Sequence, residues 1–255
     1  MKISCSSWSF HRTIAAGKLD QMAWIEKCAK ELELDGVELL DAHFPGIEKD
    51  YLQNLKKRII DLGLTIAAVS ASNHFTTPDD AKLRQEVAKV KQWADIAAYL
   101  GTPVLRCFAG SGQELSDPAI FKRTAAALRE CADYCRDNHG IVLAMENHGG
   151  TSAEQIMGLI KVVDSDWFRL TLDTGNFSQD PYGSIRKAAP LAVFVHAKTY
   201  DIDERGNEKR LDYDRIFQIF REVSYRGFIS LEYEGEANEE LMIPKSIAFL
   251  KRFNA

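Results

Sequence analysis

Four stretches in the second half of the chain decide its fold: IVLAMENHGG at 141–150, FRLTLDTGNF at 168–177, AVFVHAKTY at 192–200 and GFISLEYEG at 227–235. Each is an apolar run with one polar residue near its end, namely Glu146, Asp173, His196 and Glu232. Short continuous apolar runs read as strands buried on both faces, as in a parallel sheet. In a closed parallel barrel the C-terminal ends of all strands point to one face, where active sites are built. The four polar residues are 27, 23 and 36 positions apart, separations set by successive strand–helix steps.

The same alternation extends outward to both ends of the chain. Strands are expected at 2–7, 36–40, 65–70, 103–108, 141–146, 169–173, 193–196 and 228–232, with helical patterns at 20–33, 48–62, 79–100, 117–138, 152–163, 183–189, 212–224 and 238–252. In the first helix Met22, Ile25, Cys28, Ala29 and Leu32 share one face. Asp20, Asp117 before Pro118, and Ser152 are N-cap candidates. Gly36, Gly63, Gly101, Gly140 and Gly227 each follow a helix and precede a strand, as C-cap glycines do. Pro190 cuts the helix at 183–189 short. The 255 residues divided by eight give about 32 per unit, the size of one βα step. No linker or charge block interrupts the pattern. The expected architecture is α/β, a single (β/α)8 barrel forming one domain over 1–255, in preference to a doubly wound open sheet.

Composition narrows the function. Hydrophobic residues make up 45% and charged residues 27%, an ordinary globular balance. A net charge of −5 argues against a nucleic-acid partner, which needs a basic face. Five cysteines (Cys5, Cys28, Cys107, Cys131 and Cys135) form no secreted-domain pattern, and the pair four apart on a helix reads as packing. No leader pattern opens the chain and no apolar run approaches ~18 residues, so no membrane role is expected. A soluble protein of the reducing cytoplasm fits these features.

Taken singly, each polar strand end has an ordinary explanation. Asp173 before Thr174-Gly175-Asn176 shapes a turn, His196 is a satisfied core histidine, and Glu232 is an interior ion-pair partner. Glu146 is harder to dismiss, because Asn147 and His148 cluster with it. Together, three carboxylates at one rim repel one another unless a cation or proton neutralises them. The joint reading is a divalent cation held by Glu146, Asp173, His196 and Glu232. Oxygen ligands with one imidazole suit Mn²⁺, Mg²⁺ or Co²⁺ and do not forbid Zn²⁺.

With SWSF at 7–10, GVEL at 36–39, LRCFAG at 105–110, MENHGG at 145–150, LDTGN at 172–176, VHAK at 195–198 and LEYEG at 231–235, the chain resembles a known family over essentially its whole length. That family is the sugar isomerase and epimerase branch of the xylose-isomerase-like TIM barrels, which includes ketose 3-epimerases, hydroxypyruvate isomerase and inosose dehydratase. The resemblance implies one divalent metal bound by Glu146, Asp173, His196 and Glu232. Two departures stand out. The epimerases usually carry a histidine three residues after the sixth-strand Asp, where this chain has Asn176. The related abasic-site endonucleases hold three zinc ions with many extra histidines; the six here (His11, His43, His74, His139, His148 and His196), with no Asp-x-His after the seventh strand, cannot assemble that site.

The expected chemistry acts on a small-molecule sugar or cyclitol with a ketone beside a hydroxylated carbon. A metal-stabilised enediolate forms, with Glu146 and Glu232 as the acid/base pair on opposite faces. The same intermediate can return its proton inverted, shift it, or expel a β-hydroxyl, so epimerase, isomerase and dehydratase or lyase outcomes stay open. A non-catalytic sugar-binding subunit is the third class. Candidate substrate contacts are His148, Lys198, Asn176, His74, Arg106 and Trp8. Each has a plainer reading: His148 behind the ligands, Lys198 on the surface, His74 with Asn73 as a loop cap, and Trp8, Phe10 and Phe108 as aromatic core. Arg106 and Glu38 are expected to form an ion pair filling the barrel, with Arg106 also placed to orient Glu146. Gly110-Ser111-Gly112 matches no phosphate-binding fingerprint. A homo-oligomer is open, since no sequence feature fixes a partner surface.

Overall fold

The computed structural model describes residues 1–254. Eight parallel strands close into a barrel in chain order: β1 (Lys2–Ser6), β2 (Gly36–Leu40), β3 (Thr65–Ser70), β4 (Val104–Phe108), β5 (Val142–Glu146), β6 (Phe168–Asp173), β7 (Ala192–Thr199) and β8 (Phe228–Tyr233). Around them lie α1 (His11–Ala15), α2 (Gln21–Lys30), α3 (Lys49–Asp61), α4 (Asp80–Leu100), α5 (Pro118–His139), α6 (Ala153–Val163), α7 (Pro181–Ala188), α8 (Tyr213–Glu222) and α9 (Glu239–Lys251). This is the expected (β/α)8 barrel. The one-turn α1 is an addition, too short to show a helical period in the sequence.

Local chemistry explains most boundaries. Asp20 accepts the Ala23 N–H at 2.8 Å, Asp117 accepts the Ala119 N–H at 2.7 Å, and Ser152 forms a capping box with Gln155. Gly63, Gly101 and Gly140 adopt left-handed φ angles of 72°, 92° and 61° at helix ends. Gly36 and Gly227 are not caps, contrary to expectation. A Cβ on Gly36, the first residue of β2, would lie 2.6 Å from the Thr65 carbonyl oxygen, and one on Gly227 would lie 2.9 Å from that of Val193. Their smallness serves strand approach. Pro190 falls in a 3₁₀ turn, Ala189–Leu191, that ends α7 and leads into β7.

The main core lies between the strands and the helical ring, and all five cysteines are buried there as free thiols. A smaller apolar cluster of Ala67, Ala68, Val104, Ala144 and Phe194 is separate from it. Strand β7 runs three residues past its expected end, to Thr199. Alternation therefore puts Phe194, His196 and Lys198 on one strand face. Among the described residues no helix is long and apolar enough to cross a membrane.

Candidate metal centre

Strand register brings the four expected ligands together. Asp173 pairs with His196 across β6–β7, and His196 with Ser230 and Lys198 with Glu232 across β7–β8. One ligand atom from each of Glu146, Asp173, His196 and Glu232 lies within 4.8 Å of all the others, and all four residues are buried. His196 Nδ1 is 3.4 Å from Glu146 Oε2, 3.7 Å from Glu232 Oε2 and 3.9 Å from Asp173 Oδ2. Backbone clamps fix these positions. The Asn147 side chain donates to the Asp173 carbonyl at 2.9 Å and accepts its N–H at 2.7 Å, tying the end of β5 to β6. Thr174 Oγ1 accepts the Lys198 N–H at 3.0 Å. Asp173 does shape a turn, its Oδ1 accepting the Gly175 N–H at 2.7 Å, while Oδ2 faces the cluster.

The donor set fits a cation. His196 Nε2 lies 2.9 Å from Glu38 Oε1. An ionised carboxylate only accepts, so Nε2 carries the proton and Nδ1 is turned to the three ligand carboxylates. Glu38 is fully buried and also accepts Ser70 Oγ at 2.5 Å and Ser230 Oγ at 2.7 Å. Glu146 Oε2 and His196 Nδ1 are buried with no hydrogen-bond partner, and beside them Asp173 Oδ2 has only the Lys198 ammonium, at 3.0 Å. Orphaned buried polar atoms are costly and rare. Atoms of this kind aimed at one centre are what a cation would satisfy.

Electrostatics agrees. Burial pushes the Asp173 carboxyl up to about 7, with Lys198 opposing and Glu232 and Glu146 reinforcing. Burial also acts on Glu146 and Glu232, but His196 and Arg106 outweigh it at the first, and Lys198 and His196 at the second, so both sit below the usual range. Burial disfavours the His196 imidazolium, yet Glu38, Glu232 and Glu146 together raise its pKa well above the ordinary value. Without a cation, then, His196 is protonated and Asp173 partly protonated at neutral pH. Loading Mn²⁺ should release between about one and two protons per ion at pH 7. Asp173 and His196 both have raised pKa values, so acidification strengthens the competing protons. Affinity should fall by about one to two powers of ten per pH unit below 7. Calorimetry in buffers of different ionisation enthalpy measures the release, and pH-independent binding would contradict this account.

The other expected residues divide. Lys198 is not a surface lysine: it is 1% exposed, and its Nζ lies 3.0 Å from Asp173 Oδ2 and 3.1 Å from Glu234 Oε1 and contacts Glu232 Oε2. Asn176 donates to Glu146 Oε1 at 3.3 Å. Arg106 and Glu38 do not pair with each other. Arg106 Nε lies 3.3 Å from Glu146 Oε2, and Glu38 holds His196 instead, because barrel closure through β8 and β1 brings β2 within reach of β7. Trp8, Phe108 and His148 line a cavity of about 270 Å³ together with Glu146, Glu232, Arg106 and Lys198. His148 tilts against Phe108 at 4.4 Å between ring centroids. Phe10 is core, fully buried. His74 is not in the cavity wall: its Nε2 lies 3.2 Å from Glu114, and its exposed side chain caps a loop.

Sequence reasoning misses two residues. Glu234 lines the cavity and accepts Trp8 Nε1–H at 3.2 Å. Its position two beyond Glu232 is a usable signal, since alternate strand residues share a face. Asn147 as a clamp has only its place in MENHGG to mark it.

A family model described as "Xylose isomerase-like TIM barrel" matches residues 27–253. A 63-residue stretch is 44% identical to the C-glycoside deglycosidase alpha subunit of Arthrobacter globiformis; it is 25% of this chain and spans only 18% of that relative. Among solved structures, D-psicose 3-epimerase with D-tagatose from Clostridium cellulolyticum H10 superposes with a TM-score of 0.79 at 17% identity, covering 100% of this chain and 98% of that one. The probable 3-DHS dehydratase AsbF involved in petrobactin synthesis, from Bacillus anthracis, gives 0.78 at 20% identity, covering 98% and 99%. At such identities the likeness is one of fold.

Proposed function

The chain belongs to the xylose isomerase-like TIM barrel family, and from that premise we propose that it is a divalent-metal-dependent sugar isomerase or epimerase acting on a ketose or related keto-sugar. One observation carries the reading. Of the four clustered ligands, Glu146 and Glu232 also line the cavity, whereas Asp173 and His196 lie behind its wall. The two glutamates are thus placed to serve the ion and a substrate together. The cavity is at the small end of ligand pockets, typically ~300–1,000 Å³, which suits a small polar substrate.

Glu146, Asp173, His196 and Glu232 would hold the ion, which when bound would polarise a substrate carbonyl and acidify the neighbouring C–H. One glutamate takes that proton, the C–H electron pair moving toward the carbonyl oxygen. The other, ionised at rest, first takes up a proton from solvent or a substrate hydroxyl and delivers it to the same carbon from the far side, inverting it. Solvent exchange restores the two protonation states. Asn176 and Arg106 orient Glu146, Lys198 orients Glu232, and Trp8 and Phe108 supply apolar walls.

The Mn²⁺-loaded protein should incorporate solvent deuterium into at least one member of a ketose and inosose panel without net loss of substrate. Absence of both exchange and product across the panel would rule the reading out. A second reading, a lyase acting on an inosose or 3-keto-glycoside, is favoured by the stretch shared with the C-glycoside deglycosidase alpha subunit. In that case the second glutamate protonates a departing oxygen or carbon at the β position, and an ultraviolet-absorbing enone accumulates. A non-catalytic sugar binder has no use for two glutamates facing the cavity.

A further inference from the structure

We infer that this site takes uncharged sugars and rejects phosphorylated or carboxylated ones, and that Glu234 is a residue setting the preference; the inference rests on the keto-sugar reading above. The cavity wall contains two permanent cations, Arg106 and Lys198, and each already has a carboxylate counter-ion. An ammonium has three N–H donors. Those of Lys198 face Asp173 at 3.0 Å, Glu234 at 3.1 Å and Glu232. The Arg106 guanidinium, 2% exposed, packs over the Phe108 ring at 4.1 Å, donates from Nη1 to the Ala71 carbonyl at 3.2 Å and sets Nε 3.3 Å from Glu146.

The loop at 110–112 offers no substitute. Phosphate cradles need free N–H groups in a loop or at a helix start. In the glycine-containing loop at 110–112, Ser111 N–H is given to Thr76 Oγ1 at 3.0 Å and Gly112 N–H to the Gly149 carbonyl at 2.9 Å. Meanwhile Glu38, Glu146, Asp173, Glu232 and Glu234 put five carboxylates around those two cations and His196. A divalent ion with a neutral His196 leaves this cluster near a single negative charge. Glu234 is its outermost member, 37% exposed and pinned at the cavity wall by Trp8 and Lys198. An entering phosphate or carboxylate meets that charge where both permanent cations already face carboxylates, and like charges brought together are a means of rejection.

Calorimetric titration of the Mn²⁺-loaded protein with D-fructose against D-fructose 6-phosphate, and D-ribulose against D-ribulose 5-phosphate, tests this. The phosphorylated member should bind about tenfold or more weakly in each pair. Glu234→Gln, which keeps the size and the hydrogen bond to Trp8, should narrow the gap by about threefold, as should ~0.5 M salt, because a part-exposed charge is screened. Metal content and thermal melting confirm that the variant is folded and loaded. Equal or tighter binding of a phosphorylated sugar overturns the inference, as does a gap indifferent to both the substitution and salt, which would be steric. No binding by any of the four sugars overturns it together with the keto-sugar reading, and is thereby distinct from failed discrimination.

Discussion

Glu146→Gln or Glu232→Gln should cut solvent deuterium exchange into the substrate by about 10²–10⁴-fold, the range general acid–base transfer contributes. Gln keeps the volume of Glu but cannot take up a proton. At position 146 the amide nitrogen replaces Oε2, the atom turned to the cluster and to Arg106 Nε, while Asn176 still donates to Oε1 and holds the side chain in place. At position 232 the change also removes a carboxylate from Lys198, leaving a buried ammonium with Asp173 and Glu234. Each variant should therefore lose some folding stability, because each leaves a buried cation, Arg106 or Lys198, one carboxylate short, and a buried charge short of partners is costly. Metal content must be measured alongside. A Gln variant still holding one ion per chain yet failing to exchange separates proton transfer from metal loss. Either variant turning over at near wild-type rate would refute the two-base scheme.

Glu38→Gln should weaken Mn²⁺ binding by about 10–100-fold, although Glu38 is not among the four ligands and does not line the cavity. Its carboxylate accepts His196 Nε2–H and so keeps the Nδ1 lone pair turned to the other ligands. An amide presents donors as well as an acceptor, so the ring is no longer held to one tautomer. Ser70 and Ser230, which donate to the same carboxylate, must also reorient. Glu38 is a positioning residue, and the readout that isolates it is equilibrium dialysis against Mn²⁺, with exchange restored at saturating ion. Affinity within about twofold of wild type would show that the ring is oriented by something else.

Much of the site is legible in the amino-acid sequence. Glu146, Asp173, His196 and Glu232 converge as their places at strand ends imply, and Asn176 reaches Glu146 from the turn after β6. The residues that depart from expectation do so for a common reason, that their partners lie on other elements. Arg106 and Glu38 look like matched opposite charges in the barrel, but each has a different partner. Lys198 lines the cavity and is not on the surface because β7 continues through it. His74 follows its strand by a loop whose course puts it against Glu114 instead of the cavity.

Apolar runs alternating with amphipathic helices determined the barrel, and the ends of those runs determined which rim carries the polar residues. Periodicity fixes the face a residue occupies on its own element, and parallel strands share one direction, so both follow from local pattern. Tertiary structure alone decided that Glu38 of β2 reaches His196 of β7, and that three carboxylates close around Lys198. Contacts across a barrel depend on its closure and register, to which strands far apart in the chain contribute jointly, and no local stretch encodes them.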